Sequence, residues 1–150
     1  MKKFKFNLES VLKYRENTEN NEKSVLANLH AQLAVFVQEL AHLRGEYSQK
    51  AREFNEQAMQ GISVTEIRSS HAFMKNIEYG IELKLKEIED QTKLVERQTE
   101  VVVCAMQDTK TLDRLKEQRF DEYAKTERKV QEKFVEEFVS NKVASVRMAK

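Results

Sequence analysis

The chain of 150 residues has 34 % charged residues, only three glycines and no proline. This composition argues against a sheet of several strands, because turns between strands are built mainly from Gly, Pro, Asn and Asp. The 26 Lys and Arg nearly balance the 25 Asp and Glu, which argues against nucleic-acid binding, since a phosphate-binding protein usually carries a basic surface. We therefore predict one all-α domain made of long helices.

The first residues alternate between polar and apolar side chains. In "FKFNLESVLKYRE", Phe4, Phe6 and Leu8 stand at every second position, as in a strand, whereas the residues from Leu8 onward follow helical spacing. Polar residues interrupt the apolar run after "MKKFKF", so no secretory signal is expected there. Weak binding of this basic, aromatic stretch to a membrane surface is left open.

Apolar residues then recur every seven positions, which predicts a coiled-coil helix from about residue 4 to about residue 59. The centre of the seam, from Leu26 to Tyr47, is apolar, and both ends are polar. The two seam positions of this heptad are Leu12, Glu19, Leu26, Leu33, Leu40, Tyr47 and Phe54, and Leu8, Arg15, Glu22, Leu29, Phe36, Leu43, Lys50 and Gln57.

The segment "MQGISVTE" predicts a turn at about residues 60–63. Gly61 can adopt the left-handed conformation that ends a helix. The Ser63-Val64-Thr65-Glu66 sequence has the spacing of a capping box, which starts the next helix. Gly45 and Gly80 fall within helical patterns and are expected either to be tolerated there or to bend the helix slightly. The second helix is predicted over about residues 64–140, with a tail to residue 150.

The apolar series of the second helix is less regular than that of the first. Its spacing drifts between seven- and eleven-residue repeats, which predicts a weak or nearly straight supercoil. Cys104 lies in the apolar run "VVVCAM" and is expected to be a buried small hydrophobe. As the single cysteine it excludes an internal disulfide, and the run is too short to span a membrane. The series comprises Ile67, Met74, Ile77, Ile81, Leu85, Ile88, Val95, Val102, Met106 and Leu112.

A short turn between two long helices makes them antiparallel neighbours. The predicted fold is thus an antiparallel two-stranded coiled-coil α-hairpin with unequal arms and a longer C-terminal helix. With the turn at Gly61, Phe4 lies opposite Gln118, and the residues after Gln118 lack a partner in the hairpin. Apolar positions nevertheless continue at Phe120, Tyr123, Val130, Phe134, Phe138, Val139, Val143 and Val146.

An exposed apolar stripe of this length usually marks a partner site. Dimerisation of two copies, or a tail that folds back or frays, is the alternative. No catalytic, metal or nucleotide motif accompanies the stripe: the three histidines lack ligand spacing, and no Gly-rich phosphate loop occurs. Cys104 has no base partner that would activate it as a nucleophile. We therefore expect neither an enzyme nor a metal, cofactor or small-molecule site.

Three segments carry a resemblance to a known family. They are "FKFNLESVLKYRE" at residues 4–16, "GISVTEIRSSHAFMKNIEYGI" at 61–81, and the charged "LKEQRFDEYAKTERKVQEKFVEEFV" at 115–139. In order, spacing and total chain length they resemble the FliJ family of flagellar type III export proteins, of the Gram-positive type. The resemblance implies a non-enzymatic component of the flagellar export apparatus, located in the cytoplasm and peripheral at the cytoplasmic face of the inner membrane through that apparatus.

The resemblance also implies a set of protein partners. Family members form an antiparallel coiled-coil hairpin similar to the central stalk of rotary ATPases. They associate with the hexameric export ATPase and promote its assembly and activity. They also engage the export-gate membrane protein and help handle export chaperones. Two further functions stay open: the stalk of a virulence-type secretion system, and a structural tether that self-associates through residues 130–146.

Two groups of residues are expected to bind these partners. A face in the middle of the hairpin, with Val35 and Val37, is assigned to the export gate. The opening Phe4 and Phe6 are expected to pack near Gln118 and Phe120 and to form a tip with the second helix. For every residue in both groups, packing within the hairpin is the alternative. The residues assigned to the ATPase are Phe4, Phe6, Leu8, Tyr123, Arg128, Phe134 and Phe138.

Overall fold

A computed structural model describes the backbone of residues 3–148 and the side chains of residues 3–142. Within this range the chain forms two helices and no strand: α1 spans Glu9–Gln60 and α2 spans Val64–Met148. The two helices pack against each other as an antiparallel hairpin, with 52 residues in α1 and 85 in α2. The all-α hairpin with unequal arms and a longer C-terminal helix is therefore confirmed.

Both outer helix boundaries differ from the prediction. α1 begins at Glu9 rather than near residue 4, because the segment before it alternates between the half-buried Phe4, the buried Phe6 and exposed polar neighbours. Residues 3–6 adopt no regular secondary structure, and residues 7–8 form a turn that leads into α1. α2 continues to Met148 instead of ending near residue 140, since neither glycine nor proline occurs after Gly80 to stop it.

The turn is formed as the sequence predicts. Gly61 has a φ of 92°, a backbone conformation that residues with a Cβ rarely adopt. The Ser63 amide donates to the Glu66 carboxylate at 2.9 Å, and the Glu66 amide donates to Ser63 Oγ at 3.3 Å, which closes the capping box. The Ser63 hydroxyl hydrogen bond is the largest cause that holds the Glu66 pKa below its usual value.

Contacts divide the chain into two compact units. The turn unit comprises Asn20–Cys104, and the terminal unit combines the chain up to Glu19 with α2 from Ala105 onward. That the whole chain behaves as one domain stays a prediction.

In the turn unit, the seam of α2 keeps a strict seven-residue period, and the predicted drift is wrong. Ile67 and Leu85, counted as seam residues, are 40 % and 43 % exposed. Polar side chains stand at the seam positions that an apolar count overlooks, so the apolar residues alone give a false period. The side chains withdrawn from solvent along this part of α2 include Ser70, Met74, Ile77, Ile81, Lys84, Ile88, Gln91, Val95, Gln98 and Val102.

Polar seam residues of α2 bond directly to α1. Gln91 is only 7 % exposed, and its amide donates to the Leu29 carbonyl and to Gln32 Oε1, both at 3.1 Å. Gln98, seven positions later, donates to the Glu22 carbonyl at 3.2 Å. The Lys84 ammonium lies 2.7 Å from the Glu39 carboxylate. These contacts satisfy the polar groups of the seam and make burying them tolerable.

In the terminal unit, Leu12 is 2 % exposed and Phe6 is 8 % exposed. Ion pairs between the helices flank this core: Lys116 Nζ lies 2.9 Å from the Glu9 carboxylate, and Arg15 lies 3.0 Å from Asp108. The carboxyl-terminal Val143 and Val146 lie outside the residues whose side chains the structure describes.

Cys104 is exposed, contrary to the prediction of a buried small hydrophobe. It follows the buried Val102 by two positions, and at about 100° per residue this rotation carries its side chain away from the seam.

A candidate partner-binding face on the second helix

The segment before α1 packs its first aromatic ring on α2. The Phe4 ring meets the Phe120 ring edge-on, with centroids 5.3 Å apart and planes at 84°. The same ring is tilted at 50° against Tyr123, with centroids 5.6 Å apart. Edge-to-face and tilted pairs at these distances are favourable aromatic arrangements. The predicted packing of Phe4 near Phe120 is therefore present.

One apolar side of α2 runs through this contact and beyond it. We name it the α2 face and define it by Phe120, Tyr123, Val130, Phe134 and Phe138. At about 100° per residue these positions fall within about 80° of the helix circumference. Val130, Phe134 and Phe138 are 62–69 % exposed, and every described side chain from 128 to 142 is exposed.

The uncovered part of the α2 face starts later than the sequence predicted. Helical spacing predicts no partner in the hairpin for residues after Gln118, yet Phe120 and Tyr123 both contact Phe4. The reason is that residues 3–8 are not helical. A chain that is not helical can span up to about 3.3 Å per residue, whereas a helix rises about 1.5 Å, so Phe4 reaches further along α2 than a helical residue would.

The structure places the residues assigned to the ATPase in four settings. Phe4 and Tyr123 touch each other, Phe134 and Phe138 lie on the uncovered part of the same face, and Arg128 is exposed near its start. Leu8 is 38 % exposed. Phe6 is buried in the terminal core and offers almost no surface to a partner. All seven residues belong to the terminal unit.

Tyr123 has a polar contact within the face. Partial burial raises the pKa of its phenol, and a hydrogen bond to the Glu127 carboxylate raises it further. A phenol with a raised pKa stays neutral at physiological pH. At its junction with the hairpin the face therefore presents a neutral phenol with the Glu127 carboxylate beside it.

Val35 and Val37 do not form one face. Each is 49 % exposed, but two positions along a helix correspond to a rotation of about 200°. The two valines therefore point to nearly opposite sides of α1, and a single compact partner surface can include only one of them.

A hollow near the turn was not predicted from the sequence. It has a volume of about 270 Å³ and lies between the helices, with Phe54, Phe73 and Met74 in its walls and Ser69 and Ser70 beside them. The Lys50 ammonium lies 5.7 Å from the centre of the Phe73 ring. Ser70 stands seven positions before Ile77 in the heptad of α2, and this small side chain among aromatic residues is the signal that could have found the hollow.

Comparison with known families gives the decisive observation. The family model described as "Flagellar FliJ protein" matches residues 4–147, nearly the whole chain. The protein belongs to the FliJ family. Comparisons with curated proteins and with solved structures give no match.

Membership of the FliJ family makes the protein a component of flagellar type III export, in a family whose members are non-catalytic, and it confirms the resemblance seen in the sequence. Among the described residues, no helix is long and apolar enough to cross a bilayer. The same part of the chain holds no group of three His, Cys, Asp or Glu side chains arranged for a metal ion.

Proposed function

We propose that this FliJ-family protein is a cytoplasmic stalk that binds the hexameric export ATPase and promotes its activity. The observation that carries the proposal is the uncovered part of the α2 face. Val130, Phe134 and Phe138 stand on one side of a helix segment whose described side chains are all exposed. Exposed aromatic side chains on one helix face are typical anchors for a protein partner.

The residues assigned to the ATPase take different roles in this proposal. Phe134 and Phe138 supply the apolar contact, and Arg128 supplies a charge at its edge. Phe4, Leu8 and Tyr123 border the contact where α2 meets the start of α1. The buried Phe6 holds that border in place and does not itself touch the partner.

The test is ATP hydrolysis by the cognate export ATPase, titrated with three proteins: the full chain, a chain ending at Glu127, and a full-length Phe73→Ala control. Phe73 is a 46 % exposed aromatic of the turn unit, so the control removes a comparable ring elsewhere. We expect the full chain and the control to stimulate hydrolysis and the shortened chain to fail. If the shortened chain stimulates as strongly as the full chain, the α2 face is not the contact.

The proposal extends to the export gate, at the cytoplasmic face of the membrane, and to export chaperones. Because Val35 and Val37 point to different sides of α1, Val35→Asp and Val37→Asp are tested separately for binding to the purified gate protein. Only one of the two is expected to weaken binding. Equal loss for both, or loss for neither, argues against a gate surface at this part of α1.

A self-associating tether is the second candidate, since the same exposed face could pair with another copy of the chain. Sedimentation velocity across a concentration series separates the two functions. A chain that stays monomeric and stimulates the ATPase fits the stalk. A chain that forms dimers which disappear in the protein ending at Glu127 fits the tether.

A further inference from the structure

Phe4 occupies the first part of the α2 face. Its ring packs on Phe120 and Tyr123, the two positions of the face nearest the hairpin. The other three positions, Val130 to Phe138, are uncovered on the same side of the helix. Phe4 of the same chain therefore covers one part of a continuous face, and the rest of that face is exposed to solvent.

The segment that carries Phe4 is anchored behind it. Phe6 is 8 % exposed and lies in the terminal core with Leu12, while Lys116 holds the first residue of α1 through the Glu9 carboxylate. Phe4 itself is only half-buried, and Phe120 beneath it remains 52 % exposed. The Phe4 ring can therefore leave α2 while Phe6 stays seated.

From this arrangement we infer that Phe4 is a displaceable latch, which competes with the partner for Phe120 and Tyr123. The inference rests on the proposed function, because the partner is the export ATPase bound along the α2 face. A partner segment that packs along α2 from Phe138 through Phe134 to Val130 reaches Tyr123 next, two helical turns further on. The Phe4 ring already occupies Tyr123 and blocks this contact. Release of the latch adds two aromatic positions to the contact.

The apparent affinity for the partner equals the affinity of the open form multiplied by the fraction of molecules in which the latch is open. Two aromatic contacts at an exposed site make only a weak latch. Removing the Phe4 ring should therefore tighten ATPase binding by about two- to tenfold, whereas removing a direct contact residue weakens it.

The experiment measures the affinity of the full-length protein for the export ATPase hexamer in four variants. Phe4→Ala opens the latch, Phe134→Ala removes a contact of the uncovered face, and Phe73→Ala is the control in the turn unit. The fourth variant combines Phe4→Ala with Phe120→Ala. We expect tighter binding for Phe4→Ala, weaker binding for Phe134→Ala, no change for the control, and loss of the Phe4→Ala gain in the double variant.

Circular dichroism confirms that each variant keeps the helix content of the parent. If the parent binds and Phe4→Ala binds equally well, Phe4 plays no part in binding. If Phe4→Ala binds more weakly, Phe4 is itself a contact residue. Either result overturns the latch but leaves the proposed function intact. If Phe4→Ala gains affinity and the gain persists without Phe120, the ring does not act through the α2 face, and the latch is again overturned. If the parent does not bind the ATPase, the proposed function fails and the latch fails with it.

Discussion

Ser63 and Glu66 show how two side chains set the start of a helix of 85 residues. Each satisfies a backbone amide that the first turn of a helix leaves without an intrahelical acceptor. Both residues are exposed, so their contribution comes from hydrogen bonding and not from burial. The contribution can therefore be removed without disturbing the packing of the hairpin.

Replacing Ser63 by Ala should lower the free energy of unfolding by about 1 kcal/mol, because the helix loses its capping oxygen. Urea denaturation followed by circular dichroism measures the change. Ser69→Ala, at an exposed position inside α2, serves as the matched control and should cost nothing, since Ala is the better helix former. Equal loss in both variants would show that Ser63 is not acting as a cap.

The cap should also respond to acid. The folded-state pKa of Glu66 is lower than the usual pKa of a glutamate, so its stabilising effect is complete above that usual pKa and is lost as the pH falls through the lowered pKa. The parent should therefore be more stable than Glu66→Gln at pH 7, and the difference should shrink toward pH 3. A difference that stays constant over this range would mean that the Glu66 charge plays no part.

At the scale of the elements, the glycines differ in what their helices require. Gly61 needs its positive φ to end α1, whereas Gly45 and Gly80 lie inside helices. A Cβ at Gly45 would meet no atom within 4 Å, and one at Gly80 would meet Leu43 Cδ1 at an ordinary contact distance of 3.8 Å. Gly45 and Gly80 thus leave room for a side chain. At Gly61 the space is open as well, but the positive φ strains any residue that carries a Cβ.

Alanine should consequently act in opposite directions at these sites. Gly45→Ala and Gly80→Ala should each raise the free energy of unfolding by about 1 kcal/mol, because Gly is the poorer helix former. Gly61→Ala should lower it by about 1–2 kcal/mol, because a Cβ is strained at positive φ. Thermal unfolding checks all three variants. Stabilisation by Gly61→Ala would contradict the turn geometry.

The seam between the elements depends on polar side chains that find partners. Gln91→Ala should lower the free energy of unfolding by about 1–3 kcal/mol, since it removes both the hydrogen bonds and the packing of a buried side chain. Gln91→Leu should lower the free energy of unfolding far less than Gln91→Ala, or raise it, because an apolar side chain of similar size restores the packing. Chemical denaturation of the two variants compares the effects. A larger loss for Leu than for Ala would show that the hydrogen bonds outweigh the packing.

At the scale of the whole molecule, the fold and the proposed contact are carried by different residues. The core side chains of the terminal unit, such as Phe6 and Leu12, are buried, whereas no described side chain from 128 to 142 is. A segment with no buried side chain contributes little to the stability of the hairpin. It can therefore be shortened without unfolding the part that presents the α2 face.

A chain ending at Glu127 should thus unfold within a few degrees of the full chain. Leu12→Ala should cost about 2–5 kcal/mol in free energy of unfolding, because it empties the most buried position of the core. Scanning calorimetry on both proteins makes the comparison. A large loss of thermal stability in the shortened chain would mean that residues after Glu127 support the fold.

The sequence alone determined the two helices, the seam of α1 and the turn. Long segments without glycine or proline favour helix, the central heptads of α1 are mainly apolar, and the capping box is a local signal. These features depend on residues close together in the chain, and local interactions decide them. The longer second helix followed from the position of Gly61 in a chain of 150 residues.

Tertiary structure decided the rest. Gln91 and Gln98 belong to the seam of α2 because carbonyl groups of α1 lie within reach, which no count of apolar residues reveals. Phe4 reaches Tyr123, and the uncovered face starts after Glu127, because the segment before α1 is not helical. Whether a side chain is buried, paired or left for a partner depends on groups from the other helix, and only the packed hairpin brings those groups together.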